Sequence, residues 1–339
     1  MATTTLPPSE VQAILDRGGS ALRARMLATE QRLREVVGEA SGPIAPHASS
    51  IIAAGGKRLR PLLVLLAGRC GEPEGPIDAE NEQALIRAAV AVELVHSATL
   101  VHDDVLDAAP LRRGRATVVA SGGRGLATAA GDLLFARAFG ELVRNGSPTQ
   151  LQILSDASSA LAVGELRQRE DAYDVDVTLD RYLHRCELKT ARLFEAAARL
   201  GVLAIAAGQQ DALADALGAY AGQIGLAFQL LDDILDVGGD PDRTGKRRGG
   251  DLLDGTITLP LILARERDSS LAELDVRGLS DREAEAVCER IVATGSLDAA
   301  RGRALTILAQ AKRQLPASLS PSARELLELM ADAVLERYR

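Results

Sequence analysis

Asp103, Asp104 and Asp107 stand in the run His-Asp-Asp-Val-Leu-Asp, and Asp232, Asp233 and Asp236 repeat the spacing in Leu-Asp-Asp-Ile-Leu-Asp. Residues four apart share one face of a helix, so each run presents two carboxylates in one direction with a third beside them. Carboxylates about 4 Å apart repel by roughly 4 kcal/mol at an effective dielectric near 20, and the negative end of a helix dipole adds to the cost. Such clusters call for a cation. Hard divalent ions with oxygen ligands match, and Mg²⁺, which completes its shell with water and substrate phosphates, matches best. A single acidic triplet is ordinary at a solvated helix end; two, each embedded in an otherwise apolar stretch, are not.

Cations lie close to both clusters. Gly55-Gly56-Lys57-Arg58-Leu59-Arg60-Pro61 combines permissive glycines, three cations and a proline suited to a first helical turn, which together make an anion site at a helix start. Leu111-Arg112-Arg113-Gly114-Arg115 follows the first acidic cluster, Gly245-Lys246-Arg247-Arg248-Gly249-Gly250-Asp251 follows the second, and Lys189-Thr190 supplies a further pair. Each basic run taken singly reads as a solvated loop; pairing with the acidic clusters is what makes them specific. The faces leading to the clusters are also polar: His96, Thr99, Asp103 and Asp107 align on one, and Gly222, Gly225, Gln229, Asp232 and Asp236 on the other. A glycine inside a helix costs about 1 kcal/mol relative to alanine, so Gly222 and Gly225 serve either a close helix crossing or room for a ligand tail.

The elements that must hold these groups are helical. Aromatics make up only 2% of the 339 residues and tryptophan is absent, whereas Ala, Leu, Arg and Glu abound, which favours helices over sheets. Apolar residues recur at helical spacing almost throughout, and residues 80–106, 124–144, 151–170 and 211–237 are proline-free stretches of five or more turns. Ser147-Pro148 and Ser320-Pro321 read as helix starts, Ser280 with Glu283 as a capping box, and Gly238-Gly239 as a helix stop. No linker or short-period repeat interrupts the pattern, so residues 1–339 are expected to form a single domain, one large helical bundle, with about the first ten residues disordered.

The net charge of −8 argues against a nucleic-acid binder, because affinity for a phosphate backbone needs a cationic surface. Cys70, Cys186 and Cys288 are widely spaced within apolar patterns and read as reduced packing residues. The start of the chain carries no secretory pattern, and runs such as residues 62–67 and 259–264 are far shorter than the roughly 20 apolar residues of a membrane span. A cytoplasmic protein without a transmembrane segment is expected.

The motifs GGKRLRP, ELVHSATLVHDDVLD, LRRGR, GDLLFARAF, Lys-Thr, FQLLDDILD, GKRRGGDL and TLP, in this order from Gly55 to Pro260, closely resemble the signatures of the trans-isoprenyl diphosphate synthases, or polyprenyl synthetases. The resemblance implies an all-α bundle of isoprenoid synthase type around a central cavity, working as a homodimer. It implies a prenyltransferase that condenses isopentenyl diphosphate with an allylic diphosphate. It assigns Asp103, Asp107 and Asp232 as ligands of three Mg²⁺ ions, with Asp104, Asp233 and Asp236 acting through water. It places Arg112, Lys189, Gln229 and Lys246 around the allylic diphosphate, and Lys57, Arg60, His96 and Arg113 around isopentenyl diphosphate. It gives Lys189, Thr190 and Gln229 the catalytic role. Two departures are visible: Ala116 stands where the family often has proline, and Thr256 where it often has a lysine, which removes one diphosphate contact.

The implied chemistry ionises an allylic carbon–oxygen bond, adds the double bond of isopentenyl diphosphate and releases a proton to the departing diphosphate. Product length follows the depth of the cavity below the first acidic cluster. Ala98 and Thr99 are small and Val95 lies a turn lower, so no aromatic floor exists in this helix, and a product of about thirty carbons or more is expected. A geranylgeranyl or farnesyl diphosphate synthase is the alternative, with Phe135, Phe139 or a residue from another helix closing the tube. A class I terpene cyclase is disfavoured because its second metal motif differs from the residues after Gln229, and a non-catalytic regulatory subunit because both acidic clusters are retained.

Overall fold

The computed structural model describes residues 9–72, 77–112, 114–205, 210–239 and 247–336. The first eight residues, part of the expected disordered start, lie outside them. The helices are α1 (Ser9–Gly38), α2 (Ala45–Ala53), α3 (Leu59–Cys70), α4 (Ala79–Leu106), α5 (Val118–Val143), α6 (Pro148–Glu170), α7 (Leu179–Cys186), α8 (Arg192–Ile205) and α9 (Asp211–Gly238). A single π-turn, Glu187–Ala191, joins α7 to α8. Longer helices then follow at Asp281–Ala293, Ser296–Arg313 and Pro321–Glu336. Among the described residues the only strands are Leu111–Arg112 and Arg115–Ala116, paired antiparallel in one tight hairpin. The protein is all-α, as its composition requires.

Helix ends follow the local chemistry. The Asp78 side chain accepts the Asn81 N–H at 2.7 Å and starts α4, and Ser147 accepts the Gln150 N–H at 3.3 Å before α6. Ser280 and Glu283 form the expected capping box, and Ser320 accepts the Ala323 N–H at 3.2 Å. The expected helix 124–144 extends back to Val118 as α5, with a break at Gly123 (φ 79°). Its first turn is capped by Thr117, which accepts the Ala120 N–H at 3.1 Å.

Met1–Ser158, Leu193–Ala221 and Gln314–Ala333 form one compact unit, and Ser159–Arg192, Gly222–Arg313 and Val334–Arg339 another. In the first, α4 packs along α5 and against α3 and α1. It is long and apolar enough to span a bilayer, but 78% of its most apolar stretch is buried inside the protein. An all-round apolar helix of this kind is a core element. Glu93, a buried acid in the middle of this helix, accepts from Arg58 at 2.6 Å. Arg58 also donates to Glu30 at 2.5 Å and to the Ile52 carbonyl at 3.0 Å, and holds a left-handed backbone (φ 51°) immediately before α3.

In the second unit, Asp171 is fully buried and accepts from Arg181 at 2.5 Å and Arg185 at 3.2 Å. Arg185 donates on to the Ile257 carbonyl at 2.6 Å, so the end of α6, the helix α7 and the segment before Leu259 are fixed to one another. Cys70, Cys186 and Cys288 are free thiols, and burial pushes each of them up from the usual thiol range.

Candidate active site

The first acidic cluster closes α4. Asp107 caps the helix and donates its N–H to the Asp103 carbonyl at 2.8 Å, so the helical turn continues and both side chains belong to one face. Asp104 is 5% exposed and accepts from Arg112 Nε at 2.7 Å. Burial pushes the Asp104 carboxyl up, Arg112 opposes that shift and Asp107 adds to it. Ala108, the next residue, is held at φ 48°, a left-handed conformation that costs a non-glycine residue roughly 1–2 kcal/mol. The chain then turns back: Thr117 donates to the Ala109 carbonyl at 2.6 Å, which fixes the hairpin that carries Arg112 beside Asp104.

Between the acidic cluster and α5 sits His102. Its ring stacks on Phe135 with centroids 5.8 Å apart, and its Nε2 lies 3.3 Å from Asp132. Gly131 makes this possible, since any Cβ there would overlap the imidazole. The segment GDLLFARAF thus positions the end of α4, and Phe135 is engaged with His102.

The cations of residues 55–61 divide by role. Arg58 is consumed by Glu30 and Glu93. Arg60 is different: its guanidinium lies 4.6 Å over the Phe194 ring, and its buried Nε has no hydrogen-bond partner. Burial pushes Arg60 down to about 10, with Glu93 only partly opposing. A buried guanidinium with an unsatisfied donor is suited to an anion. Lys57 and His96 are half-buried in the same unit. On α4, Ala98 is fully buried while Thr99 is half-buried and donates to the His96 carbonyl at 2.8 Å. Arg113 and Lys246, expected at the diphosphates, lie outside the described residues.

The second cluster ends α9. Asp233 is 3% exposed; it accepts the Tyr182 hydroxyl at 2.5 Å on one oxygen and the Gln229 amide at 2.8 Å on the other. Thr190 donates to Gln229 Oε1 at 2.7 Å, so Thr190, Gln229, Asp233 and Tyr182 form one continuous chain of hydrogen bonds. Asp236 accepts the backbone N–H groups of Gly250 and Asp251, both at 3.1 Å. Arg248 donates to the Val237 carbonyl at 2.8 Å, which fastens the returning chain to the helix end. Lys189 contacts the Glu165 carboxylate at 2.5 Å and donates to Gln168 at 3.2 Å.

Each acidic helix end, taken by itself, offers oxygen donors of the kind a hard divalent cation takes. Asp103 and Asp107 offer carboxylate oxygens from one helical face, and the half-buried Asp232 stands beside an Asp233 and an Asp236 that the protein itself holds in place. Among the described residues no three His, Cys, Asp or Glu side chains converge into a complete site.

Three site residues were not singled out in the sequence. Asp251 is pushed well above the ordinary carboxylate range by burial, and then by Asp236, Asp233 and Asp232. Tyr182 and Glu165 are the other two. Asp251 was visible as the acid ending a basic, glycine-rich run; Tyr182 and Glu165 carried no local signal.

The comparisons with known proteins agree with this chemistry. The Polyprenyl synthetase family pattern matches residues 43–294. Heptaprenyl diphosphate synthase component 2 of Geobacillus stearothermophilus is 41% identical over 239 residues, 70% of this chain and 72% of that protein. The octaprenyl diphosphate synthase of Escherichia coli is 37% identical over 260 residues, 75% of this chain and 77% of that protein. A crystal structure of a polyprenyl synthase from Caulobacter crescentus CB15, complexed with calcium and isoprenyl diphosphate, superposes with a TM-score of 0.84 at 35% identity, covering 96% of this chain and 98% of that one. With the motifs in order, the all-helical fold and a match across most of its length, this chain belongs to the polyprenyl synthetase family.

Proposed function

We propose that the protein is a magnesium-dependent prenyltransferase that extends an allylic diphosphate with isopentenyl diphosphate to a long all-trans polyprenyl diphosphate of about thirty carbons or more. The observation that carries this reading is the division of labour at the two acidic helix ends. Arg112 holds Asp104, Tyr182 and Gln229 hold Asp233, and two backbone N–H groups hold Asp236. Asp103, Asp107 and Asp232 serve as the direct ligands of three Mg²⁺ ions, and the held aspartates orient water around them. Heptaprenyl and octaprenyl synthases among the relatives, and the small side chains of Ala98 and Thr99, support the long product.

When bound, magnesium neutralises the diphosphate that leaves the allylic carbon. Arg112, Lys189 and Lys246 add positive charge to the same group, where it stabilises the transition state most. Thr190 and Gln229 direct oxygen atoms toward the allylic cation, and their hydrogen-bond chain to Asp233 and Tyr182 keeps them from turning away. Lys57, Arg60, His96 and Arg113 hold isopentenyl diphosphate. The proton lost in each cycle passes to the released diphosphate. The chain works as a single polyprenyl synthetase domain in a cytoplasmic homodimer.

The test is incubation with isopentenyl diphosphate, an allylic diphosphate and Mg²⁺, then dephosphorylation and chromatography. Linear prenyl alcohols of about thirty carbons or more are expected. A shorter linear product limits the conclusion to a geranylgeranyl or farnesyl synthase. Cyclic hydrocarbons, or no turnover, overturn the reading.

A further inference from the structure

Lys189 lies in an unusual stretch of backbone. From Leu179 to Ile205 the chain is helical without a gap, except that Glu187–Ala191 forms one π-turn. A π-turn has poorer backbone geometry than the α-helix it interrupts, and it persists where neighbouring structure or function requires the altered direction of the side chains it carries. Here it carries Lys189 and Thr190.

The neighbour that fits the widened turn is α6. A Cβ on Gly164 would come within 2.7 Å of the Lys189 nitrogen, 3.0 Å of the Lys189 Cα and 3.0 Å of the Leu188 Cβ, so only glycine allows this approach. The next residue, Glu165, and Gln168 three further on share the face of α6 that meets the turn. Both reach the same ammonium: Glu165 at 2.5 Å as an ion pair and Gln168 at 3.2 Å as a hydrogen-bond acceptor. Arg169 donates to Glu165 at 3.0 Å from one turn further along α6, which fixes the carboxylate in its own right. Burial works against the charge on Glu165, but Lys189 and Arg169 outweigh it and hold the carboxyl below its usual range. The Glu165 side chain is 14% exposed and that of Lys189 27%.

A lysine ammonium has three donors on a flexible stem, and ordering that stem costs rotamer entropy. With its charge anchored at Glu165 and one donor given to Gln168, the ammonium is ordered in advance and retains donor capacity for a phosphate oxygen. Thr190, one residue on, is ordered on the other side of the turn by Gln229.

We propose that Glu165, assisted by Gln168 and by the close approach at Gly164, is a positioning residue that holds the Lys189 ammonium in the π-turn for the allylic diphosphate. This rests on the proposed function, in which Lys189 binds that group. Glu165 itself touches no substrate.

The test is steady-state kinetics of the full chain, comparing wild type, Glu165→Gln, Lys189→Gln and the double variant, with thermal unfolding of each. A misplacement of about 1 Å can cost roughly a hundredfold in rate, so Glu165→Gln is expected to lower kcat/KM for the allylic diphosphate by about 10–100-fold. KM for isopentenyl diphosphate should stay within about twofold, and the double variant should be no slower than Lys189→Gln alone, because Glu165 acts only through the lysine. An active wild type with an unaffected Glu165→Gln variant overturns the inference, as does a double variant whose losses multiply. If Glu165→Gln does not fold, Glu165→Asp, which keeps the charge but withdraws it, is judged by the same criteria. A wild type with no turnover overturns the function and this inference together, so the two failures are distinguishable.

Discussion

Tyr182 on α7 donates its hydroxyl to Asp233 on α9 at 2.5 Å, with both side chains buried. The bond ties the acidic end of α9 to the helix that leads into the Lys189–Thr190 turn. Tyr182→Phe removes the donor and leaves a buried carboxylate oxygen unsatisfied, at a cost of about 1–3 kcal/mol in stability. Loss of such an outer partner also weakens metal binding, typically by about 10–100-fold. The Mg²⁺ concentration for half-maximal turnover should therefore rise. An unchanged Mg²⁺ dependence would show that Asp233 is not held for the metal's sake.

Asp103→Ala and Asp232→Ala each remove a proposed direct ligand. A bound ion contributes several kcal/mol to stabilising the leaving group, so each variant should lose about a thousandfold or more in kcat. The helices should remain, because neither side chain is part of the buried core. Chelation of Mg²⁺ should abolish turnover in the wild type and its re-addition restore it. Near-normal rates in either variant would remove that residue from the metal site.

The sequence showed the helices, the caps and both acidic clusters because each depends on spacing within a few residues. It could not show which of three neighbouring cations is structural. Arg58 and Arg60 read alike in GGKRLRP, yet Arg58 turns inward to Glu93, thirty-five residues away, while Arg60 lies over Phe194. Tyr182, Glu165 and Asp251 escaped for the same reason, since their partners Asp233, Lys189 and Asp236 come from other segments. The π-turn left no trace because Glu-Leu-Lys-Thr-Ala fits a regular helix equally well.

That difference between the two arginines is measurable. Glu93→Ala takes from Arg58 its buried partner and leaves it the less buried Glu30, and losing a buried partner in this way costs about 3 kcal/mol. The Tm should fall by roughly 10 °C, with KM for isopentenyl diphosphate nearly unchanged in the folded fraction. Arg60→Ala should do the reverse. A charged hydrogen bond contributes about 1.5–3 kcal/mol, so KM for isopentenyl diphosphate should rise by about 10–100-fold. If both variants fail by unfolding alone, Arg60 belongs to the scaffold.

Thr99 gives the most direct test of the proposed control of product length. It lies three residues beyond His96 and four before Asp103, on the helical face that carries both, and it is half-buried. Ala98, one position earlier, shares its face with His102, which packs on Gly131 and Phe135, and it is fully buried. Phenylalanine at Ala98 therefore overpacks the contact between α4 and α5, at a cost of about 1–3 kcal/mol, whatever it does to the product. Thr99→Phe places a ring on the face that carries His96 and Asp103 and disturbs the contact with α5 less. Chromatography of the dephosphorylated product should show a shorter prenyl alcohol from Thr99→Phe, with a Tm close to wild type. An unchanged product from Thr99→Phe together with a shorter one from Ala98→Phe would show that the growing chain passes on the α5 side of the helix.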